Sequence, residues 1–281
     1  MRVVVEAADV LGEGPVWAAS EGRLYWFDIK RRRLHWHAPQ SGEAGEVVLS
    51  MRASAAAPRT AGGLFLATDI GLAVFDPGTQ AVEVVRRMAL PAGFRTNDGG
   101  IDPQGRFWWS TMDDNGGVRP GAVFVTEADG RTEKVLDDVH IANTLTVSAD
   151  GATLYLADSG RQTLWACDTA DLSRRRVLAT TDGDVAPDGS ALDAEGFLWN
   201  AQWGAARLVR YAPDGRVDRI VEVPVDQPTS CAFGGSDLAT LFVTSARDGL
   251  SETALGRQPL AGALFAFEPG VTGLPLATFA G

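Results

Sequence analysis

Six times along this 281-residue chain, a turn rich in Gly, Asp or Ser runs into a short strand that starts with Leu or Phe followed by an aromatic residue. The pairs are Leu24-Tyr25, Leu64-Phe65, Phe107-Trp108, Leu154-Tyr155, Leu198-Trp199 and Leu241-Phe242, at spacings of 40, 43, 47, 44 and 43 residues. A period of about 40 to 50 residues with several short strands per unit is the signature of a β-propeller blade. The repeat fills the chain. It predicts an all-β fold, one domain over residues 1–281, in which six four-stranded antiparallel blades form a six-bladed β-propeller around a central channel.

The remaining pattern agrees. Helical periodicity is almost absent, and short apolar runs are bounded by Gly, Pro, Asp and Asn. Asp-Gly, a strong hairpin signal, recurs at Asp129-Gly130, Asp150-Gly151 and Asp214-Gly215. In unit five the expected strands are Ser190 to Leu192, Phe197 to Ala201, Arg207 to Tyr211 and Ile220 to Val223. Unit six takes its third strand from Gly262 to Phe267. Its outermost strand is expected from Val3 to Val5, closing the ring with N-terminal chain, in preference to Leu274 to Phe279.

Charge and cysteine content exclude several functions. A formal net charge of −11 repels phosphate backbones, so no nucleic-acid partner is expected. Arg31-Arg32-Arg33 and Arg174-Arg175-Arg176 read as solvated blade edge. Cys167 and Cys231 stand alone and make neither a zinc site nor a disulfide framework. The N-terminal residues lack a signal-peptide core, and no stretch has the apolar length to span a membrane. The expectation is a cytoplasmic protein with no membrane partner, monomeric or weakly homo-oligomeric. No GxSxG elbow, Walker loop or dinucleotide fingerprint is present.

In a propeller the first strand of each blade lines the axis, and the residues just before it sit at one mouth of the channel. Those positions hold Glu13, Asn97, Asn143 and Asp188, separated by two blades, one blade and one blade. Singly, Asn97-Asp98-Gly99 and Asp188-Gly189 read as turns and Asn143 as a loop cap. Together, four oxygen-bearing side chains at one repeat phase suit a hard divalent cation, which would also relieve the repulsion between the acids. Unit two breaks the pattern: Arg52 to Arg59 is Ala-rich and offers no matching polar residue. Among the histidines, His35 and His37 fall far from the axis, while His140 precedes Asn143 by three residues and is a candidate supporting group. Trp109 and Trp203 read either as sugar-stacking rings or as packing between blades.

These same segments resemble the gluconolactonase/regucalcin-like (senescence marker protein) family of six-bladed propellers along essentially the whole chain. The resemblance is carried by Gly12-Glu13-Gly14-Pro15-Val16-Trp17 and by Arg95-Thr96-Asn97-Asp98-Gly99 running through Asp102 and Gly105-Arg106 to Thr111-Met112. It continues in Ser148-Ala149-Asp150-Gly151 to Ala157-Asp158-Ser159 and in Pro187-Asp188-Gly189 to Trp199. The run from Arg247-Asp248-Gly249-Leu250-Ser251 to Pro259-Leu260-Ala261-Gly262 resembles bacterial sugar-lactone hydrolases in particular. The resemblance implies hydrolysis of a sugar lactone, pentono- or hexono-, to its aldonic acid. It implies one divalent metal ion (Ca²⁺, Zn²⁺, Mg²⁺, Mn²⁺ or Fe²⁺) on Glu13, Asn143 and Asp188, with Asp188 also the catalytic acid/base and Arg95 and Asn97 binding the substrate. Two departures stand out. Thr144 replaces a glycine that often follows the metal-binding Asn, and the acidic contact some members carry after the Thr-Met pair has only Asp113 and Asp114 as candidates. Two other readings remain open on this scaffold: a metal-dependent phosphotriesterase and a non-enzymatic calcium-binding propeller. A rim-binding interaction platform fits less well, because the unusual polar residues fall at the axis.

Overall fold

The computed structural model describes residues 1–281 as six four-stranded antiparallel sheets, each innermost strand packed against the next around one axis. The innermost strands are Gly12–Ala18, Ala53–Pro58, Phe94–Ile101, Ala142–Val147, Ala186–Leu192 and Pro228–Gly234, in blades one to six. The Leu/Phe–aromatic pairs all lie in the second strands, where successive side chains point to opposite faces of the sheet. In blade one, Tyr25 and Phe27 pack toward blade two with Leu64 and Phe75, and Leu24 and Trp26 pack toward blade six with Phe242 and Leu264. Tyr25 meets Phe75 edge-on at 6.2 Å between ring centroids. Period-two alternation thus builds both inter-blade cores from one strand.

Several hairpins are fixed by a buried carboxylate. Asp102 and Asp193 are both fully buried. Asp102 takes the backbone amides of Gln104 and Arg106 on Oδ1 and the Trp108 indole N–H on Oδ2 at 2.8 Å. Asp193 repeats this with Glu195, Phe197 and Trp199. The turn, the second strand and the aromatic core residue are thereby tied to one side chain, satisfying amides that would otherwise be buried unpaired.

The ring closes as expected with N-terminal chain: Arg2–Val5 pairs antiparallel with Leu264–Phe267 as the outermost strand of blade six. Leu274 to Phe279 is not a strand of that blade and instead crosses the far mouth of the channel. It leaves blades five and six where the Ala194 amide donates to Thr272 O and the Gly273 amide to Leu238 O. It reaches blade two where the Phe279 amide donates to Pro58 O and the Thr60 amide to Phe279 O. Phe279 is buried and stacks on Phe65 at 4.1 Å. The unit-five strands run Ala186–Leu192, Leu198–Trp203, Arg207–Tyr211 and Val217–Glu222, so the first begins four residues earlier than the sequence suggests. Arg174, Arg175 and Arg176 lie in the outermost strand of blade four, Asp171–Thr180. No helix is long and apolar enough to cross a membrane.

Candidate active site

Every innermost strand carries one extra residue against its partner strand at the same depth. The irregularities fall between Glu13 and Val16, Ala53 and Ala55, Thr96 and Gly99, Asn143 and Thr146, Pro187 and Ser190, and Pro228 and Ser230. A bulge bends the strand and re-aims a side chain. Glu13, Asn97, Asn143 and Asp188 therefore lie inside the innermost strands, not before them. Their Gly-, Asn- and Asp-rich sequences read as turns because a bulge uses the same residues. Gly14 shows the local demand: its φ is +57°, and a Cβ there would stand 2.3 Å from the Ser54 carbonyl oxygen.

The bulges bring the expected residues into one buried cluster. The Asn97 side-chain amide donates to Asn143 Oδ1 at 2.8 Å and to Ala142 O at 3.0 Å. Arg95 Nη1 donates to Asn97 Oδ1 at 2.6 Å and to Thr96 O at 2.9 Å. Asn143 Nδ2 donates to Ser159 Oγ at 2.9 Å, and that hydroxyl donates to Pro187 O at 2.6 Å, beside Asp188. Glu13 receives only its neighbouring amide, Gly14 N, on Oε2.

Electrostatics sets these carboxyls apart. Burial, then the Asp98 charge, pushes Glu13 up to about 8 against the pull of the Gly14 amide and Arg95. Burial, with Glu13 and Asp98 adding to it, raises Asp188 well above the usual carboxylate range. Burial also lifts Asp98 to about 6, opposed by the amides of Gly99 and Leu145. Asp188 Oδ1 is buried with no hydrogen-bond partner. No three His, Cys, Asp or Glu side chains stand close enough to chelate an ion by themselves, so a cation at these carboxyls would also draw on amide or backbone oxygens. The donor set fits such an ion: hard oxygens, one orphaned, in a dry site where several acids cannot all ionise unaided.

The structure also places the residues the sequence left ambiguous. Thr144 adopts the left-handed conformation at φ +57°, a strained choice for a β-branched residue that costs about 1–3 kcal/mol. Its hydroxyl bonds the Asp188 carbonyl oxygen and meets Ser190 Oγ at 2.8 Å, so it ties blade four to the Asp188 backbone. Asp113 turns away to Arg119, whose Nε lies 3.0 Å from Oδ2. Asp114 faces the cluster: Oδ1 accepts Arg95 Nε at 2.8 Å and Oδ2 accepts Arg52 Nη1 at 2.7 Å. His140 bonds Gly117 O through Nδ1 at 2.7 Å, outside the donor set. Trp109 is fully buried, stacked on Phe124 at 4.4 Å with its N–H on Thr126 Oγ1, and is core and not a sugar platform. Trp203 is half-buried against the blade-one core.

Unit two does contribute a polar residue at the bulge. Ser54 is fully buried and donates to Thr96 Oγ1 at 2.8 Å. Sequence reasoning missed it because a serine among alanines carries no charge signal. It also missed Asp98, hidden behind Asn97 in what reads as an Asn-Asp-Gly turn. Asp98 borders a channel cavity of about 480 Å³ on the far side of the cluster, lined with Leu145, Ser190 and Ser230 and covered by Leu274 and Pro275.

Known proteins show the same arrangement of sequence and fold. The model of the SMP-30/gluconolactonase/LRE-like region matches residues 11–247. A 6-deoxy-6-sulfogluconolactonase from Pseudomonas putida is 35% identical, over 100% of this chain and 99% of its own. An L-arabinolactonase from Azospirillum brasilense is 35% identical, over 99% of this chain and 95% of its own. Among solved structures, a calcium-binding protein, regucalcin, from Agrobacterium tumefaciens superposes with a TM-score of 0.93 at 32% identity, covering 99% of this chain and 96% of that one.

Proposed function

The chain belongs to the SMP-30/gluconolactonase/LRE-like family, and from that premise we propose that it is a carboxylic-ester hydrolase that opens a sugar lactone to its aldonic acid. The observation that supports the reading is the crowding of buried carboxyls: Glu13 adds to the raising of Asp188, Asp188 Oδ1 lacks any partner, and Asn143 is tied through Ser159 to the carbonyl beside Asp188. Glu13, Asn143 and Asp188 would hold a divalent cation, which when bound supplies Lewis-acid polarisation of the lactone carbonyl and charge for the developing oxyanion.

The protein's own groups do the rest. Asp188 takes a proton from the attacking water as its oxygen bonds to the carbonyl carbon. The tetrahedral adduct then collapses, the ring C–O bond breaks, and the proton returns to the departing ring oxygen, which leaves as a hydroxyl. Arg95 and Asn97, already joined to each other, orient the sugar hydroxyls. Nη2 is the Arg95 nitrogen not engaged by Asp114, Thr96 or Asn97, and it can reach a substrate oxygen. Asn97 and Ser159 hold the Asn143 amide so that its carbonyl oxygen keeps a lone pair for a ligand. Thr144, bonded to the backbone of Asp188, fixes that carboxylate from the neighbouring blade.

Following acid release from pentono- and hexono-lactones in a pH-stat tests the reading. Turnover is expected, with kcat/KM falling about a thousandfold in Asp188→Asn. An unchanged rate in that variant would overturn the assignment. The likeness to a calcium-binding regucalcin favours one second reading, a cation-binding propeller without turnover. Stoichiometric cation with no activity on any lactone would establish it. Relatives named for a sulfogluconolactone and for an arabinolactone leave the ring substituents of the substrate open.

A further inference from the structure

The innermost strands run from the acid cluster to the far mouth, and between those levels they enclose the cavity of about 480 Å³ that Asp98 borders. That volume lies within the roughly 300–1,000 Å³ of small-molecule pockets. Its wall is mostly apolar. Leu145, Val147, Leu192 and Phe233 line it from blades four to six, and Leu274 and Leu276 of the C-terminal segment cover its outer end. The cover is fixed before any ligand arrives: the segment is bonded to blades five and six at one end and to blade two at the other. Gly273 packs so closely on Phe233 that an added Cβ would stand 2.2 Å from the Phe233 Cβ. Leu276 lines the cavity and is 47% exposed, so the pocket meets solvent beside it.

Two polar groups in this wall are left wanting. Asp98 is buried; Oδ1 accepts the Gly99 amide at 2.7 Å and Oδ2 the Leu145 amide at 3.4 Å, but no arginine, lysine or histidine pairs with it. Ser230 is 4% exposed, and its hydroxyl makes no hydrogen bond within the protein. It stands in room left by Gly189, where a Cβ would lie 2.1 Å from Ser230 Oγ. The other hydroxyls of the wall, Ser190 and Thr146, are both engaged by the protein.

We propose that this channel pocket is a second binding site, for a small amphipathic ammonium compound whose charged nitrogen pairs with Asp98 and whose hydrocarbon body lies against the apolar wall, with Ser230 as a further polar partner. A carboxylate without a counter-charge in a water-poor pocket gains more from a cation than from a neutral donor. Glu13 and Asp188 lie close enough to feel the Asp98 charge, so the acidic end of the pocket repels anions and draws cations. An inorganic divalent ion suits the pocket poorly, because it demands six or more oxygens and this wall is largely carbon.

Calorimetry and thermal melts on the whole chain, with calcium present throughout, test this with two probes of one shape. Cyclohexylmethylamine should bind one-to-one, raise the melting temperature saturably, and bind at least about tenfold more tightly than cyclohexylmethanol. Methylamine, which carries the charge without the hydrocarbon, should give no saturable shift. Asp98→Asn keeps the side chain's shape and should erase the preference for amine over alcohol. Should that variant fail to fold, Ala277→Trp decides: residue 277 lines the covered outer end, and an indole there should abolish amine binding. The proposal is overturned if the amine does not bind, if amine and alcohol bind equally, or if methylamine stabilises as well as the larger amine. Amine binding that survives Ala277→Trp unchanged overturns it too, by placing the amine at the other mouth. None of these readouts uses lactone turnover, so they hold whether or not a lactone is hydrolysed.

Discussion

Blades two and four carry the same backbone irregularity at the same depth, yet only blade four is proposed to supply a ligand. In blade two the bulge presents Ser54, whose hydroxyl is spent on Thr96 of blade three. In blade six the corresponding bulge presents Thr229, bonded to Gly12 O of blade one at 2.5 Å and to Thr244 Oγ1 at 2.8 Å. These short hydroxyls stitch neighbouring innermost strands together, each with its one donor proton engaged by the protein. Blades one, four and five present the longer side chains Glu13, Asn143 and Asp188, and Asp188 Oδ1 has no partner within the protein. The bulge is common scaffold. What differs from blade to blade is the reach and charge of the side chain it presents and how much of that side chain's hydrogen-bonding capacity the protein leaves unused.

Exchanging one kind of residue for the other breaks this comparison most sharply. Asn143→Ser gives blade four the side chain of blade two. It should lower lactone kcat/KM on the order of a hundredfold while leaving the circular dichroism of the propeller unchanged. If activity survives within a few-fold, Asn143 holds no ligand and the contrast between the blades has no chemical meaning.

A smaller effect comes from pH. Folded Glu13 titrates at about 8 and Asp98 at about 6, both above the values near 4 of exposed carboxyls. The folded state thus holds protons that the unfolded chain has released. This contribution to stability is complete below about pH 4 and is lost as pH rises through the folded values. In the presence of chelator, the melting temperature should fall by several degrees between pH 5 and pH 8, and saturating divalent cation should close the gap. A chelated protein that grows more stable across that interval would contradict the crowding of acids at the axis.

The smallest effect sharpens the comparison from the other side. Ser54→Ala removes one buried hydrogen bond, about 1 kcal/mol, which corresponds to a melting shift of about 2–4 °C. Lactone turnover should stay within a factor of about three of wild type, because nothing Ser54 touches belongs to the donor set. A loss as large as that in Asn143→Ser would place blade two in the site after all.

The ring of blades, its N-terminal closure and the phase of Glu13, Asn97, Asn143 and Asp188 were legible because each rests on a repeat: one strand pattern recurring at nearly fixed spacing acts as a ruler for everything around it. What was not legible depends on a single local contact. Asp113 and Asp114 are adjacent acids in one loop, and only the pull of Arg119 on the first decides that the second faces the arginines. Trp109 reads like any aromatic of a second strand until Phe124 from the next strand covers it. Leu274 to Phe279 has the apolar content of a strand, and only the stacking of Phe279 on Phe65 shows that it leaves the blade. Thr144 is the converse case. The sequence marked it as unusual, and its place between two blades explains why a residue ill-suited to its backbone is held there.

The C-terminal segment follows a diameter of the ring, where the strand connections run outward within a blade or on to the next blade. Fastened to blades five and six at one end and blade two at the other, it lies across the axis on the side away from Glu13 and Asp188. A propeller open at both ends would allow a molecule to pass through. In this one Leu274 to Ala277 stand in that path, on the wall of the channel cavity, so the far end of the axis is narrowed by a segment that belongs to no blade.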